Sequence, residues 1–251
     1  MYNLKRIVLI VLIVLLPFLT GASGEDKTKQ SDEQTQKDQK AKQVTTVDKP
    51  VYKPPLRGSP AGRVGGGTRG ATERQSFSLF VLAPDHVGLT THDQPHLYWY
   101  ISKPILHSVE FTITERRAVK PLFVKIFKGP DKGGIQAINL ADYGVRLRKD
   151  AKYKWSVTIV TNADHRSKDI LAGGIITLVN VPQSLPAKLQ AAGNRTPYVY
   201  AEEGLWYDAV EAISGMIDAS PNDVRLRKQR ASLLEQVGLD EVAELESRNS
   251  P

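Results

Sequence analysis

Residues 152–159, Lys-Tyr-Lys-Trp-Ser-Val-Thr-Ile, alternate polar and apolar without a break. Tyr153, Trp155, Val157 and Ile159 therefore share one face and the polar set the other, the signature of a half-buried β-strand. Shorter segments of the same kind recur at 77–82, 96–101, 108–114, 122–127, 135–140 and 170–179. Turn-forming residues separate most of them: Pro84-Asp85, the run Gly-Pro-Asp-Lys-Gly-Gly at 129–134, Asp142-Tyr143-Gly144 and Asn162-Ala163-Asp164. Seven short strands without a helical period between them predict an antiparallel β-sandwich of immunoglobulin-like architecture over residues 75–181.

After Pro182 the period lengthens to that of a helix, so the whole chain is of the α+β class. Trp206, Ala209, Val210, Ile213, Met216 and Ile217 fall on one stripe, with Glu202, Glu203 and Asp208 near the N-terminal end, where the helix dipole favours acids. A second helix is expected after Ser220-Pro221-Asn222-Asp223, with Ser220 as N-cap, Pro221 in the first turn and Asp223 at the capping-box position, ending at Gly238. Residues 239–245 add a turn or two. The offsets of Gly204, Ala209, Ile213, Met216 and Pro221 resemble the second helix of a tetratricopeptide repeat, and Gly238 falls where the next repeat's inter-helix glycine would stand. Arg230 replaces the Leu of that pattern and Pro197 interrupts the preceding helix, so residues 182–251 read as one repeat-like helical hairpin. Stacked repeats need about three units to stand alone, and a single hairpin must pack on the sandwich or on a partner.

The N-terminal quarter has neither period. Residues 7–19 form an apolar block behind Lys5 and Arg6 and run into small residues, Thr20-Gly21-Ala22-Ser23-Gly24, which reads as an export signal over residues 1–22. Thirteen apolar residues containing Pro17 are short of the roughly 20 that span a bilayer. A cleaved signal peptide is expected, with cuts after Ala22 or after Gly24 both satisfying the small-residue rule. The periplasm or the outside of the cell is then the compartment, with a membrane partner only if the signal is uncleaved. Residues 23–74 follow as a linker, Lys-, Gln-, Asp- and Glu-rich and then Pro-punctuated, with too little to bury for a fold of its own. Gly65, Gly67 and Gly70 within it spell G-x-G-x-x-G, but prolines precede them and Thr68 stands where a P-loop would need lysine, so a turn-rich lead-in is expected in place of a nucleotide site.

Charge and composition narrow the partners. The chain carries +7, from 34 basic and 27 acidic residues. A mildly basic exported protein suits anionic envelope surfaces, and its charges are too scattered for nucleic acid. Having no cysteine, it forms no disulfide, thiolate metal site or thiol nucleophile.

The ordered motifs Gly-Arg-Val-Gly-Gly-Gly-Thr-Arg-Gly at 62–70, Gly-Leu-Thr-Thr at 88–91, Gln-Pro-His-Leu-Tyr-Trp-Tyr at 94–100, Tyr-Lys-Trp at 153–155, Arg-Ser-Lys-Asp at 166–169 and Gly-Leu-Trp-Tyr-Asp-Ala at 204–209 resemble a bacterial family, domain of unknown function 928. The likeness extends over residues 63–239. It implies an exported protein and carries no catalytic residues. Where that family often has Cys, this chain has Thr161.

Candidate chemistry is sparse. His92 and His96 have helical metal-pair spacing, but Asp93, Gln94 and Pro95 separate them and a strand follows, so no helix presents both. Asp85, His86, His92 and Asp93 are left to converge from loops at one end of the sandwich. There is no G-x-S-x-G and no nucleophile signature. Tyr98 and Tyr100 are expected on the sheet surface, with Trp99 inward; exposed, they would make an aromatic platform for polysaccharide or a protein. Arg146, Arg148, Lys149, Lys152 and Lys154 read as a solvated edge, Arg225, Arg227, Lys228 and Arg230 as solvated helix positions, and Trp206 and Tyr207 as core. The expectation is a non-enzymatic envelope protein with no catalytic, cofactor or metal residues. Its partner would be an envelope protein, with cell-wall polysaccharide as the alternative and a secreted hydrolase as the third reading.

Overall fold

A computed structural model describes residues 48–55, 63–65, 77–248 and the backbone of 67–69. The expected export signal and most of the expected linker lie outside the described residues. The strands are β1 (Val64–Gly65), β2 (Gly67–Arg69), β3 (Phe77–Val81), β4 (Gly88–Thr90), β5 (His96–Ile101), β6 (Ser108–Glu115), β7 (Phe123–Phe127), β8 (Gly134–Asn139), β9 (Lys152–Val160) and β10 (Ile170–Leu178). Five helices follow: α1 (Leu185–Ala192), α2 (Thr196–Glu202), α3 (Trp206–Ala219), α4 (Val224–Glu235) and α5 (Asp240–Arg248). The chain is thus α+β, with antiparallel sheets first and helices after. No helix among the described residues is long and apolar enough to cross a membrane.

The first sheet runs β1-β10-β9-β6-β7 and the second β2-β3-β5-β8. Every pairing is antiparallel except that of β4, which lies parallel to β10 with Gly88 opposite Ile176. Three residues are too short a run to show a period, and the sequence pattern assigned no strand there. The glycine run at 62–70 is where the chain changes sheets: Gly65 pairs with Ala172 of the first sheet, while Gly67 pairs with Leu79 of the second. Gly65 has φ +70, and a Cβ there would sit 2.1 Å from the Leu171 carbonyl oxygen, so this glycine serves strand crossing and close backbone approach. Gly70 lies outside the described residues.

Inward positions of both sheets belong to one buried cluster. Val109, Phe111 and Ile113 of β6 and Trp155, Val157 and Ile159 of β9 are fully buried, as are Leu79, Leu97 and Ile101 of the second sheet. The helices join the same cluster. Trp206 donates its indole N–H to the Leu82 carbonyl at 2.8 Å, and Trp155 donates to the Tyr207 hydroxyl at 2.9 Å, which in turn donates to the Ile175 carbonyl at 3.1 Å. Both Trp206 and Tyr207 are buried, in accord with their reading as core.

The helical region contains more than one hairpin. Pro197 lies in the first turn of α2, where its missing N–H costs nothing, and so begins a helix where it was expected to break one. The cap of α4 is Asp223, whose carboxylate accepts from the Arg225 N–H; Ser220 closes α3 instead. Pro221 and Asn222 form the turn between them, which puts the capping oxygen three residues later than expected. Arg230, expected in solvent, is buried, with Nε 2.8 Å from the Glu246 carboxylate of α5 and a guanidinium nitrogen 3.0 Å from the Ser214 hydroxyl of α3. A buried guanidinium needs such partners, and both come from other helices.

Part of the expected linker is also structured. Tyr52 is buried and meets Trp206 edge-on at 5.0 Å. Its N–H donates to Gln236 at 2.8 Å, Gln236 donates to the Pro50 carbonyl at 2.9 Å, and the Lys53 N–H donates to the Ala201 carbonyl at 3.0 Å. One aromatic ring in an otherwise polar, proline-rich stretch supplies enough apolar area to hold residues 48–55 against the helices.

Candidate functional site

The face of the second sheet that carries Tyr98 and Tyr100 was expected at the surface, where it could have served as an aromatic platform, and the helices cover it. Tyr98 and Tyr100 are 8% and 5% exposed. Burial, with Glu211 nearby, pushes the Tyr98 hydroxyl up to about 12; burial and then Glu241 and Glu246 of α5 raise that of Tyr100. Alternation placed the two rings correctly on the face opposite Trp99. What it could not supply was the helical layer that packs over them.

Where α3 meets the loop from β4 to β5, four titratable groups gather. Asp208, in the first turn of α3, accepts from the Thr90 hydroxyl at 2.7 Å, the Thr91 N–H at 2.8 Å and the Thr91 hydroxyl at 3.2 Å, and lies 3.5 Å from His92 Nδ1. Burial holds its carboxyl above the usual range, against His92 and those hydrogen bonds. Glu211, almost one turn on, takes the His96 N–H at 3.2 Å and lies 2.7 Å from His96 Nδ1 and 3.3 Å from His92 Nδ1. Burial works against its charge, yet the bonds from His92 and His96 bring its pKa below the ordinary value. The His92 imidazole is raised chiefly by its bond to Glu211. Sequence spacing paired His92 with His96 only as helical metal ligands. Here a loop and a strand bring them to one carboxylate, and the signal for it, acids at 208 and 211 on one side of a helix, was present but had no visible partner.

This cluster acts as a clamp between helix and sheet. Among the described residues no group of three or more His, Cys, Asp or Glu side chains is placed to hold a metal ion. The other loop candidates go elsewhere. His86 lies between Asp85 at 3.0 Å and the Tyr52 hydroxyl at 2.9 Å, stacked on the Tyr52 ring, and Asp93 pairs with Arg146. Asp85, His86, His92 and Asp93 thus do not converge. Thr161 donates its N–H to the Asp169 carboxylate at 3.3 Å and its hydroxyl to the Lys168 carbonyl at 3.2 Å.

Among the described residues the outer face of the first sheet carries no α-helix. Register puts Val124 and Ile126 of β7, Glu110 and Thr112 of β6, Ser156 and Thr158 of β9 and Leu171 of β10 on it together. A groove of about 450 Å³ runs among Glu110, Thr112, Ser156, Thr158, Arg166, Asp169 and Leu171. Arg166 bridges it, 3.0 Å from Glu110 and paired also with Asp169; hydrogen bonds to those two carboxylates raise its pKa. Beside the groove, Val124, Ile126 and Leu171 are 46%, 57% and 38% exposed. Strand β7 ends the sheet, with no strand on its outer side among the described residues. Of the basic residues read as a solvated edge, Arg146 and Arg148 pair with Asp93 and Glu115, and Lys149, Lys152 and Lys154 are exposed.

Comparison with known families finds that the family described as Domain of Unknown Function (DUF928) matches residues 64–247. No curated protein matches the chain.

Proposed function

The chain belongs to the Domain of Unknown Function (DUF928) family, a description that carries no activity, and we propose that it is an exported, non-enzymatic envelope protein that binds a protein partner through the open face and free edge of its first sheet. One observation carries this reading: Val124 and Ile126 are about half exposed on a strand that has one unpaired edge, among the described residues, and no helix over its outer face. Unpaired N–H and C=O groups beside apolar side chains are what an added strand or extended peptide takes up. Lys125, central in β7, guards the edge against indiscriminate pairing. The apolar block 7–19 behind Lys5 and Arg6 supports export, with the periplasm or the outside of the cell as the proposed compartment. The two sheets are proposed to be an immunoglobulin-like sandwich, with α3 and α4 as its repeat-like hairpin.

The test is a photo-crosslinking residue at Ile126, with another at exposed Val51 as control, in envelope fractions of the producing cell. A defined protein species crosslinked from 126, absent from 51 and lost with Val124→Lys, is expected. Equal labelling from both positions, or none from 126, overturns the reading. Polysaccharide is the second reading, because the groove sets the half-buried Thr112 hydroxyl and the accessible Arg166 guanidinium side by side over the buried Ser156 and Thr158. Retention on purified cell wall that Thr112→Lys abolishes selects it.

A further inference from the structure

Strand β6 ends and β9 begins at the same end of the first sheet, where the Arg116 N–H donates to the Lys152 carbonyl at 2.8 Å. That bond fastens the turn after β6 to the start of β9. The segment leading into β9 bends at Asp150, the only non-glycine with positive φ (61°) among the described residues; aspartate tolerates this conformation better than most. Between turn and bend lies an open cavity of about 810 Å³ lined by Glu115, Arg116, Arg117, Arg148, Lys149, Asp150, Ala151 and Lys152. Five cations face two carboxylates, and Glu115 is already taken by Arg148. Arg116, Arg117, Lys149 and Lys152 have no ion-pair partner among the described residues.

The same turn carries apolar side chains in water. Val119 is 99% exposed and Leu122 49%, where turn chemistry ordinarily selects Gly, Asn or Asp. Residues 116–122, Arg-Arg-Ala-Val-Lys-Pro-Leu, contain three basic residues and no acid. We propose that this end of the sheet docks on an anionic lipid bilayer, its unpaired cations taking lipid phosphates in the cavity while Val119 and Leu122 enter the boundary between headgroups and acyl chains. Cations alone would suit any polyanion. A free-standing valine between Arg117 and Lys120 gains nothing from a soluble polyanion, whereas at a bilayer its methyl groups leave water beside the phosphates that hold the cations. A second copy of this chain would bring the same cations to the contact and be repelled. The site is separate from the outer face and β7 edge of the proposed protein-binding surface, so either proposal can fail without the other.

The chain has no cysteine, which makes a single engineered one a unique label. Full-length Val119→Cys and Leu106→Cys, each carrying an environment-sensitive fluorophore, are mixed with phosphatidylcholine vesicles with and without phosphatidylglycerol. Leu106 is 97% exposed and precedes β6, whereas Val119 follows it, so the labels are separated by the strand's roughly 25 Å length. The label at 119 is expected to shift to the blue with anionic vesicles only, and the label at 106 to stay unchanged. Arg117→Glu with Lys149→Glu should lower the anionic-vesicle partition at least about tenfold, each cation contributing about 1 kcal/mol near such a surface, and high salt should do the same. If the reversal lowers the melting temperature, Arg117→Gln with Lys149→Gln replaces it. Any charge-independent binding by residues 7–19 is common to both labels and both vesicle types. Equal response at 106, equal response to neutral vesicles, an unchanged partition in the folded charge variant, or binding of polyphosphate without a vesicle response each overturns the proposal.

Discussion

Tyr207→Phe removes one oxygen from a ring that is 2% exposed and leaves its volume almost unchanged, so it probes the hydrogen bonds between α3 and the first sheet without opening a cavity. That oxygen accepts the Trp155 indole N–H at 2.9 Å and donates to the Ile175 carbonyl at 3.1 Å. Trp155 is fully buried, and its N–H has no water to turn to once the hydroxyl is gone. An unsatisfied buried donor costs about 1–3 kcal/mol, and the lost bond to Ile175 adds about 1 kcal/mol. A loss of about 2–4 kcal/mol follows, which for a folded unit of this size lowers the melting temperature by about 4–16 °C at roughly 2–4 °C per kcal/mol. Urea unfolding followed by tryptophan fluorescence and by circular dichroism measures it. Adding Trp155→Phe completes a double-mutant cycle, whose coupling should exceed about 0.5 kcal/mol because removing both partners strands no donor. A single-mutant loss below about 0.5 kcal/mol, or additive losses, would refute the assignment of this hydrogen bond as a tie between helix and sheet.

Arg230→Ala strands the buried Glu246 carboxylate and should cost about 3–5 kcal/mol in urea unfolding, whereas joint replacement by apolar residues of matching volume should cost far less. Gly174→Ala would put its Cβ 2.5 Å from the Ala83 Cβ and 3.2 Å from Trp155 Nε1, and overpacking of about 1–3 kcal/mol should appear as a lower urea midpoint. Glu211→Gln should destabilise most between about pH 5 and 6.5. His92, raised from 6.5 by Glu211, contributes stability below that value and loses it as pH rises through its folded pKa, while Glu211, lowered from 4.5, contributes above 4.5 and loses it as pH falls through its own. Asp208, His96 and Asp93 also face this pair, so part of the stability survives in the variant; equal losses at pH 5.5 and pH 8.5 would contradict the coupling.

Strands with a clean period of two were legible because each writes its burial into consecutive residues: His96–Ile101 was read to the residue, and β9 to within one. Asp223 shows the limit at helix ends. Ser220 and Asp223 are both good capping residues, and only the path of the turn decided which oxygen met a free N–H. The acid and histidine cluster was half legible. His92 and His96 stood out by spacing, but Asp208 and Glu211, more than a hundred residues further on, are acids at the start of a helix, where the dipole alone explains them.

Sequence by itself determined what is local: which faces of β5 and β9 are apolar, that the chain changes from strands to helices after Pro182, and that no thiol chemistry is available. Tertiary structure decided which of those faces meets water. Alternation set Tyr98 and Tyr100 against Trp99, yet whether that face was a platform or a core depended on helices that begin more than a hundred residues later, and they bury it. The same packing buries Arg230 and Tyr52, which composition had assigned to solvent, and leaves Val119, Val124 and Ile126 outside. Burial is a property of pairs of surfaces; a sequence read along its length records one member of each pair at a time.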